Sequence, residues 1–270
     1  MPFQNLITSL YNPKIKNVIK LRDKQTRQRL GFTIIEGNRE ISRAEEAGVT
    51  FEEVYFCREC LGGKEGEAVL ATVTSRSNAS FEVTKEVFQK LAYGDRLEGI
   101  MVVARPAHYT LSDISLSKNP LLVVLENVEK PGNIGAIART CDAAGVDGLL
   151  VCDSAGDVYN PNVIRASIGT VFSVNVVQTS SEEALRFLKQ NNITICATSP
   201  HASFSYTDAK FSVSVALVFG SEQDGLGNFW LQYADKQVLL PMRGKADSLN
   251  VSSTVAILIF EALRQRNQSS

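Results

Sequence analysis

The chain is poor in the side chains from which metal centres and disulfide frameworks are built. Its 270 residues include two histidines, His108 and His201, and five cysteines scattered between Cys57 and Cys196. An odd, dispersed cysteine count excludes a disulfide framework and suits a reducing compartment. Cys57 and Cys60 form one C-x-x-C with no second pair and no nearby histidine, so neither a structural zinc nor any other metal is expected. Cys141, Cys152 and Cys196 fall in apolar segments and read as core. No apolar run approaches the roughly 20 residues of a membrane span. The opening MPFQNLITSLYNPKIK lacks the charged-then-apolar layout of a secretory signal. The expectation is a cytoplasmic protein without membrane contact.

Neither charge sign dominates: the formal net charge is −1, which by itself neither implies nor excludes nucleic acid. The distribution is less even. Residues 14–30 hold Lys14, Lys16, Lys20, Arg22, Lys24, Arg27 and Arg29 against Asp23 alone, and Ile15, Val18 and Ile19 recur at helical spacing. The spacing predicts a helix packed by a narrow apolar stripe. Its cations form either a solvated face or a face that meets phosphates.

Hydrophobic residues make up 44% and charged residues 21% of the sequence, a soluble globular balance, and the length accommodates two domains with their own cores. From 32 to 105 short signals alternate: strands over 32–36, 51–56, 81–83 and 99–104, helices over 38–47, 67–73 and 84–93, the last with Thr84 as N-cap. These make a small α/β domain over 1–106. Residues 107–119, Ser-rich and without periodicity, read as a linker. In the remaining 120–270 the strands change character. LLVVLE (121–126), GLLVCD (148–153), TVFSVNVV (170–177), ITICAT (193–198), VSVALVFG (213–220) and KQVLLP (236–241) are nearly continuous apolar runs, as in strands covered on both faces. Helix patterns lie between and after them at 134–144, 162–168, 182–191, 228–234 and 251–266, and the tail NQSS is the one low-complexity tract. The alternation specifies an α/β fold with a mostly parallel, doubly wound sheet.

In an open parallel sheet, ligands bind beyond the carboxyl ends of the strands. Three such ends carry glycine-bearing polar loops: ENVEKPGNIGAIART after 121–126, GSEQDGLG after 213–220, and LLPMRGKADSLNVSST closing 236–241. Asn133 is positioned to cap a helix starting at Ile134, whose buried stripe is Ile134, Ile137, Ala138 and Cys141. Arg139 falls off that stripe, with Asp142 as a candidate partner. Ser248, Asn250, Ser252 and Ser253 sit where a helix exposes unpaired N–H groups. A dinucleotide fingerprint fits poorly, because Gly132-x-x-Gly135 lacks the G-x-G-x-x-G spacing, even with Asp153 as the ribose-binding acid. A nucleophile elbow fits less well still, since Gly220-Ser221-Glu222 is not G-x-S-x-G.

The segments ENVEKPGNIGAIARTCDAAGVDGLLV, LVFGSEQDGLG and LLPMRGKADSLNVSSTVAILIFEALRQ resemble, in order and spacing, the three signature motifs of the SpoU (TrmH-like) RNA ribose 2′-O-methyltransferases of the SPOUT superfamily. ITSLYNPKIKNVIKL, IIEGNREI and GIMVVARP are similar, more loosely, to the ribosomal-protein-like substrate-binding domain often found ahead of that catalytic domain. The resemblance implies S-adenosylmethionine as cofactor, a deep trefoil knot in the C-terminal domain, a homodimer formed through that domain, and an RNA substrate, ribosomal RNA in preference to tRNA. It implies catalytic positions at Asn133, Arg139, Glu222, Ser248 and Asn250, and a cofactor cradle at Phe219, Gly220, Leu240, Met242 and Leu249. Under it Lys14, Lys16, Lys20, Lys24, Arg27 and Arg29 become RNA contacts. A catalytically silent RNA-binding or ribosome-assembly protein of the same fold is the alternative. Departures from the motifs are small: Lys130 where an acid is frequent, Gln223 where glycine is, and Thr254 where alanine is.

Methyl transfer from a sulfonium to a ribose hydroxyl is an in-line displacement. It needs alignment, a route for the hydroxyl proton and a cofactor cradle, and no metal. The resemblance gives proton removal to Arg139. A guanidinium is effectively always protonated, so a second role stands equally: Arg139 binds the neighbouring phosphate and polarises the hydroxyl while Asn133 orients it.

Overall fold

The computed structural model describes residues 6–93 and 97–268; the last two residues of the NQSS tail lie outside them. Two compact units form. One ends at Ala107 and takes back Tyr159–Ser173; the other is His108–Val158 with the chain from Val174 on.

In the first unit β1 (Leu6–Ile7), α1 (Pro13–Lys20), α2 (Lys24–Leu30), β2 (Thr33–Glu36), α3 (Asn38–Glu46), β3 (Thr50–Phe56), α4 (Gly63–Arg76), β4 (Ala79–Val83), α5 (Lys85–Leu91) and β5 (Ile100–Arg105) follow in order. The strands pair as β1-β4-β3-β5-β2, with β1, β4 and β3 parallel and β5 antiparallel to β3 and β2. The single helix predicted over 14–30 is two helices. Asp23 divides them, because its carboxylate accepts from the Thr26 amide at 2.8 Å and so caps α2. Ile15 and Val18 are buried as the stripe requires, in a core with Ile34, Tyr55, Phe88 and Val103.

In the second unit β6 (Leu121–Glu126), α6 (Pro131–Ala144) and β7 (Gly148–Cys152) precede α7 (Pro161–Ala166), which belongs to the first unit. β8 (Val176–Thr179), α8 (Ser181–Gln190), β9 (Thr194–Thr198), β10 (Val215–Phe219), α9 (Asn228–Tyr233), β11 (Lys236–Val238) and α10 (Val251–Gln268) complete it. Its strands run parallel in the order β11-β9-β10-β6-β7-β8, the sheet that the continuous apolar runs predict. Leu122 and Val124 of β6, Leu150 of β7 and Val218 of β10 share a core with Trp230 and with Ala184, Leu185 and Leu188 of α8. The alternate residues Val123, Leu149 and Leu217 are buried too, so both faces are covered. The Trp230 indole donates to Ser181 Oγ at 2.9 Å, and that hydroxyl donates to Asp153, which satisfies the buried polar atoms. Residues 107–119, read as a linker, are packed: Ile114 is buried in this core with Tyr109, Leu111 and Leu116 against it. α10 lies along α6 and over β10. Its far end is tied by Arg266, which donates to the carbonyls of Asn119, Pro120, Phe211 and Val213 at 2.6–3.1 Å.

The strand predicted from residue 170 is replaced by a 3-10 turn over Thr170–Phe172, and β8 starts only at Val176. Gly169 turns the chain with a φ of 79° and lies so close to Glu40 that a Cβ would meet its backbone at 2.9 Å. Val171 and Phe172 are therefore buried in the first unit instead of in a sheet. Thr33 Oγ1 donates to the Tyr159 carbonyl at 2.7 Å, and Arg43 donates to that of Ile168. A small cavity in this unit is lined by Glu36, Glu40, Glu98, Tyr93 and Arg165, among others. Among the described residues no helix is long and apolar enough to cross a membrane, and no group of three His, Cys, Asp or Glu is arranged to hold a metal ion.

Candidate active site

β6 and β10 are neighbours, and the chain builds the sheet outward from β6 through β7 and β8 before returning on the other side through β9 and β10. Their carboxyl ends therefore flank the point where an open parallel sheet binds ligands. Two of the three polar loops leave from these ends.

α6 begins three residues earlier than the sequence predicts. Pro131 takes the first helical position, where its missing N–H costs nothing. Asn133 is consequently not a cap. It lies in the first turn, and its side-chain amide donates to Glu222. Glu222 sits on the turn after β10, where Ser221 and Gly225 exchange two backbone hydrogen bonds at 3.1 Å. Gly225 has a φ of 68°, a left-handed conformation that favours glycine, and a Cβ on Gly220 would run into the backbone of Gly225 and Leu226, so the turn has no room for a side chain at 220.

Asn250 caps α10. Its Oδ1 accepts from the Ser252 amide at 2.9 Å and from the Ser252 hydroxyl at 2.6 Å. That leaves Nδ2 to donate to Glu222 Oε1 at 3.0 Å and to Asn133 Oδ1 at 3.2 Å. Lys130 completes the group by pairing with the other Glu222 oxygen. The Lys130 ammonium, foremost, with the Asn133 and Asn250 amides, holds the Glu222 carboxyl below its usual range. Asn133, Glu222 and Asn250 thus come from three separate loops to one hydrogen-bonded cluster. Lys130 is the member that sequence reasoning missed. Its signal was present as the one motif departure that adds a positive charge.

Arg139 stands outside the cluster. It is exposed on α6, six residues past Asn133, or about 9 Å along a helix rising 1.5 Å per residue. Its side chain forms no hydrogen bond or ion pair with any described residue, so the pairing with Asp142 is absent. Ser248 is likewise exposed and unpartnered among the described residues. Phe219 is buried at the end of β10. From 240 to 249 no backbone amide or carbonyl bonds to another described backbone group. Leu240 and Met242 are half-buried there, and Leu249 is 42% exposed. Open backbone donors and acceptors interleaved with apolar side chains suit a ligand that combines a purine ring with an amino-acid end. Glu126, buried at the end of β6, accepts from the Gly227 amide at 2.6 Å and braces the start of α9; desolvation pushes its pKa up.

The basic segment is divided in its duties. Arg27, expected to face RNA, is 4% exposed, and its Nη1 donates to the carbonyls of Leu21 and Arg22 at 2.8 Å. It closes the end of α1, since a buried guanidinium must find acceptors inside the fold. Arg22 does the same for α5 at the carbonyls of Lys90, Leu91 and Ala92. Lys14 pairs with Glu53 at 2.8 Å. Lys16, Lys20 and Arg29 are exposed and form no ion pair among the described residues, and Lys24 is half-buried.

The pattern of the SpoU rRNA Methylase family matches residues 120–260, and that of the MRM3-like substrate binding domain matches residues 12–102. The chain is similar to the 23S rRNA (uridine(2479)-2'-O)-methyltransferase of Streptomyces viridochromogenes, at 31% identity over 254 residues that cover 91% of this chain and 87% of that one. Among solved structures it resembles an RNA 2'-O ribose methyltransferase at 40% identity and a TM-score of 0.86, over 97% of this chain and 99% of the other. It also resembles the AdoMet-bound rRNA methyltransferase of Sinorhizobium meliloti at 27% identity and a TM-score of 0.87, over 96% and 97%. With its parallel sheet, its three converging loops and these matches along nearly its whole length, the chain is a methyltransferase of the SpoU rRNA Methylase family, carrying an MRM3-like substrate binding domain ahead of the methylase region.

Proposed function

We propose that the protein transfers the methyl group of S-adenosylmethionine to the 2′-hydroxyl of a ribose in ribosomal RNA. The observation that carries this reading is the cluster of Asn133, Glu222 and Asn250 at the carboxyl ends of the parallel strands, beside the open backbone of 240–249. The bound cofactor supplies an electrophilic methyl on a sulfonium, which calls for in-line approach by the hydroxyl. Leu240, Met242 and Leu249 with their backbone cradle the cofactor, and Phe219 and Gly220 form the adjoining wall. Asn133 and Asn250 orient the ribose, and Glu222 holds both amides in position. Ser248 joins the site from the same loop. Arg139, exposed and unpartnered among the described residues, clamps the neighbouring phosphate with its bidentate fork and polarises the hydroxyl, whose proton passes to solvent as the O–CH3 bond forms and the S–CH3 bond breaks. The reaction needs no metal.

The same reading includes a homodimer through the second unit and a trefoil knot that encloses α10, the helix the dimer packs against. Lys16, Lys20, Lys24 and Arg29 meet the RNA backbone, and five unpaired cysteines support a cytoplasmic setting. Calorimetry with S-adenosylmethionine and with NADH, followed by mapping of ribose methylation in cells with and without the gene, tests the proposal. The expected result is binding of S-adenosylmethionine and one lost 2′-O-methyl in ribosomal RNA. Nicotinamide binding with none for S-adenosylmethionine would overturn it, and a methyl lost from tRNA instead would move the substrate.

A further inference from the structure

Tyr11 is the most exposed large apolar side chain among the described residues, at 79%. Isolated surface hydrophobics are ordinary; this one differs in how it is held and in what stands beside it. The Tyr11 amide donates to Ser9 Oγ at 3.2 Å, and the Asn12 amide donates to the Ser9 carbonyl at 3.2 Å. Asn12 then caps α1 by accepting from the Lys14 amide at 2.9 Å, and Pro13 takes the first helical position. The backbone on both sides of the ring is fixed while the ring itself faces solvent. The Lys16 ammonium lies 5.6 Å from the ring centroid, Lys20 is exposed one turn further along α1, and α1 contains no acid.

We propose that Tyr11 is a stacking platform for an unpaired base of the RNA substrate, with Lys16 and Lys20 carrying the phosphates beside it. This rests on the RNA reading above and deepens it. A rigid aromatic face accepts any base with little ordering cost, and the adjacent cations supply the sequence-independent attraction. A duplex hides its base faces in the stack, so the occupant is a single-stranded loop or bulge. Lys16 covers one face of the ring, which leaves the opposite face for the base.

The test uses the full chain with oligouridylate and with blunt duplex RNA of the same length. Tyr11→Ala is expected to weaken single-strand binding about tenfold and leave duplex binding unchanged. Because no charge is removed, the slope of log affinity against log salt stays as in the wild type. Tyr11→Phe restores affinity, whereas Lys16→Gln lowers the slope by about 0.7. In Tyr11→Trp the new indole is the accessible one, since Trp230 is fully buried, and oligouridylate protects it from iodide quenching. If Tyr11→Ala binds like the wild type while Lys16→Gln weakens binding, or if the indole is not protected, the platform is refuted and the RNA reading survives. If the wild type binds neither RNA, the RNA reading falls first and the platform with it.

Discussion

Arg139 and Lys share a charge but not a shape, and that difference separates the two roles open to this residue. Arg139→Lys keeps the cation and removes the planar fork. With Arg139 as phosphate clamp, kcat/KM for RNA is expected to fall about tenfold or more while S-adenosylmethionine affinity is unchanged. Activity largely retained, with its optimum displaced toward lysine ionisation, would return the residue to proton removal. Glu36 offers a second residue-scale test. Burial pushes its carboxyl up to about 7, Oε2 accepts from the Tyr93 amide at 2.7 Å, and Oε1 has no hydrogen-bond partner among the described residues. The folded chain thus keeps a proton that the unfolded chain releases near the ordinary value of 4.5, so stability declines as pH rises from that value to about 7. Glu36→Gln is expected to flatten the decline and raise stability at pH 8 by about 1 kcal/mol or more. Denaturant midpoints across that range check it, and an unchanged slope would refute it. Asn133, Glu222 and Asn250 were legible as a set through the resemblance of their three segments to the SpoU motifs, whereas the residues alone offered Asn133 as a helix cap and Asn250 as part of a polar helix start. Arg27 was not, because the same guanidinium serves a phosphate on the surface or a row of carbonyls within, and only burial tells them apart.

Among the elements, α10 carries Asn250 at one end and Arg266 at the other. Arg266 serves four carbonyls, and its removal strands those that water cannot reach. Arg266→Ala is expected to lower stability by about 2–4 kcal/mol, with Arg266→Lys recovering only part because one ammonium cannot span the fork. Urea unfolding measures both; a loss within about 0.5 kcal/mol, the range of an ordinary surface substitution, would contradict the tie. The parallel strands were readable because burial on both faces demands continuous apolar runs. The break at Asp23 and the loss of the strand at 170 were not, for opposite reasons. Asp23 acts through one local cap that competes with a continuing helical pattern. The apolar run at 170 is genuine but is buried by neighbours more than 120 residues away in sequence, as the contact of Gly169 with Glu40 illustrates.

For the whole molecule, the return of Tyr159–Ser173 to the first unit means that the two units are not two consecutive pieces of chain. A fragment ending at Ala107 leaves Thr33 and Arg43 without the Tyr159 and Ile168 carbonyls and removes Val171 and Phe172 from the interior. It is expected to melt well below the full chain or to expose its core to a hydrophobic dye; calorimetric scans of both decide, and equal stability would contradict the shared fold. The return also sets a schedule during synthesis. Ser173 lies 66 residues beyond Ala107, and a ribosome adding about 5–20 residues per second reaches it roughly 3–13 s later. Through that interval the nascent first unit waits with an open edge while β6, α6 and β7 emerge. The first unit is thus completed after β6, α6 and β7 have been made but before Glu222, the 240–249 loop and Asn250, so its fold closes while the active site is still to be synthesised.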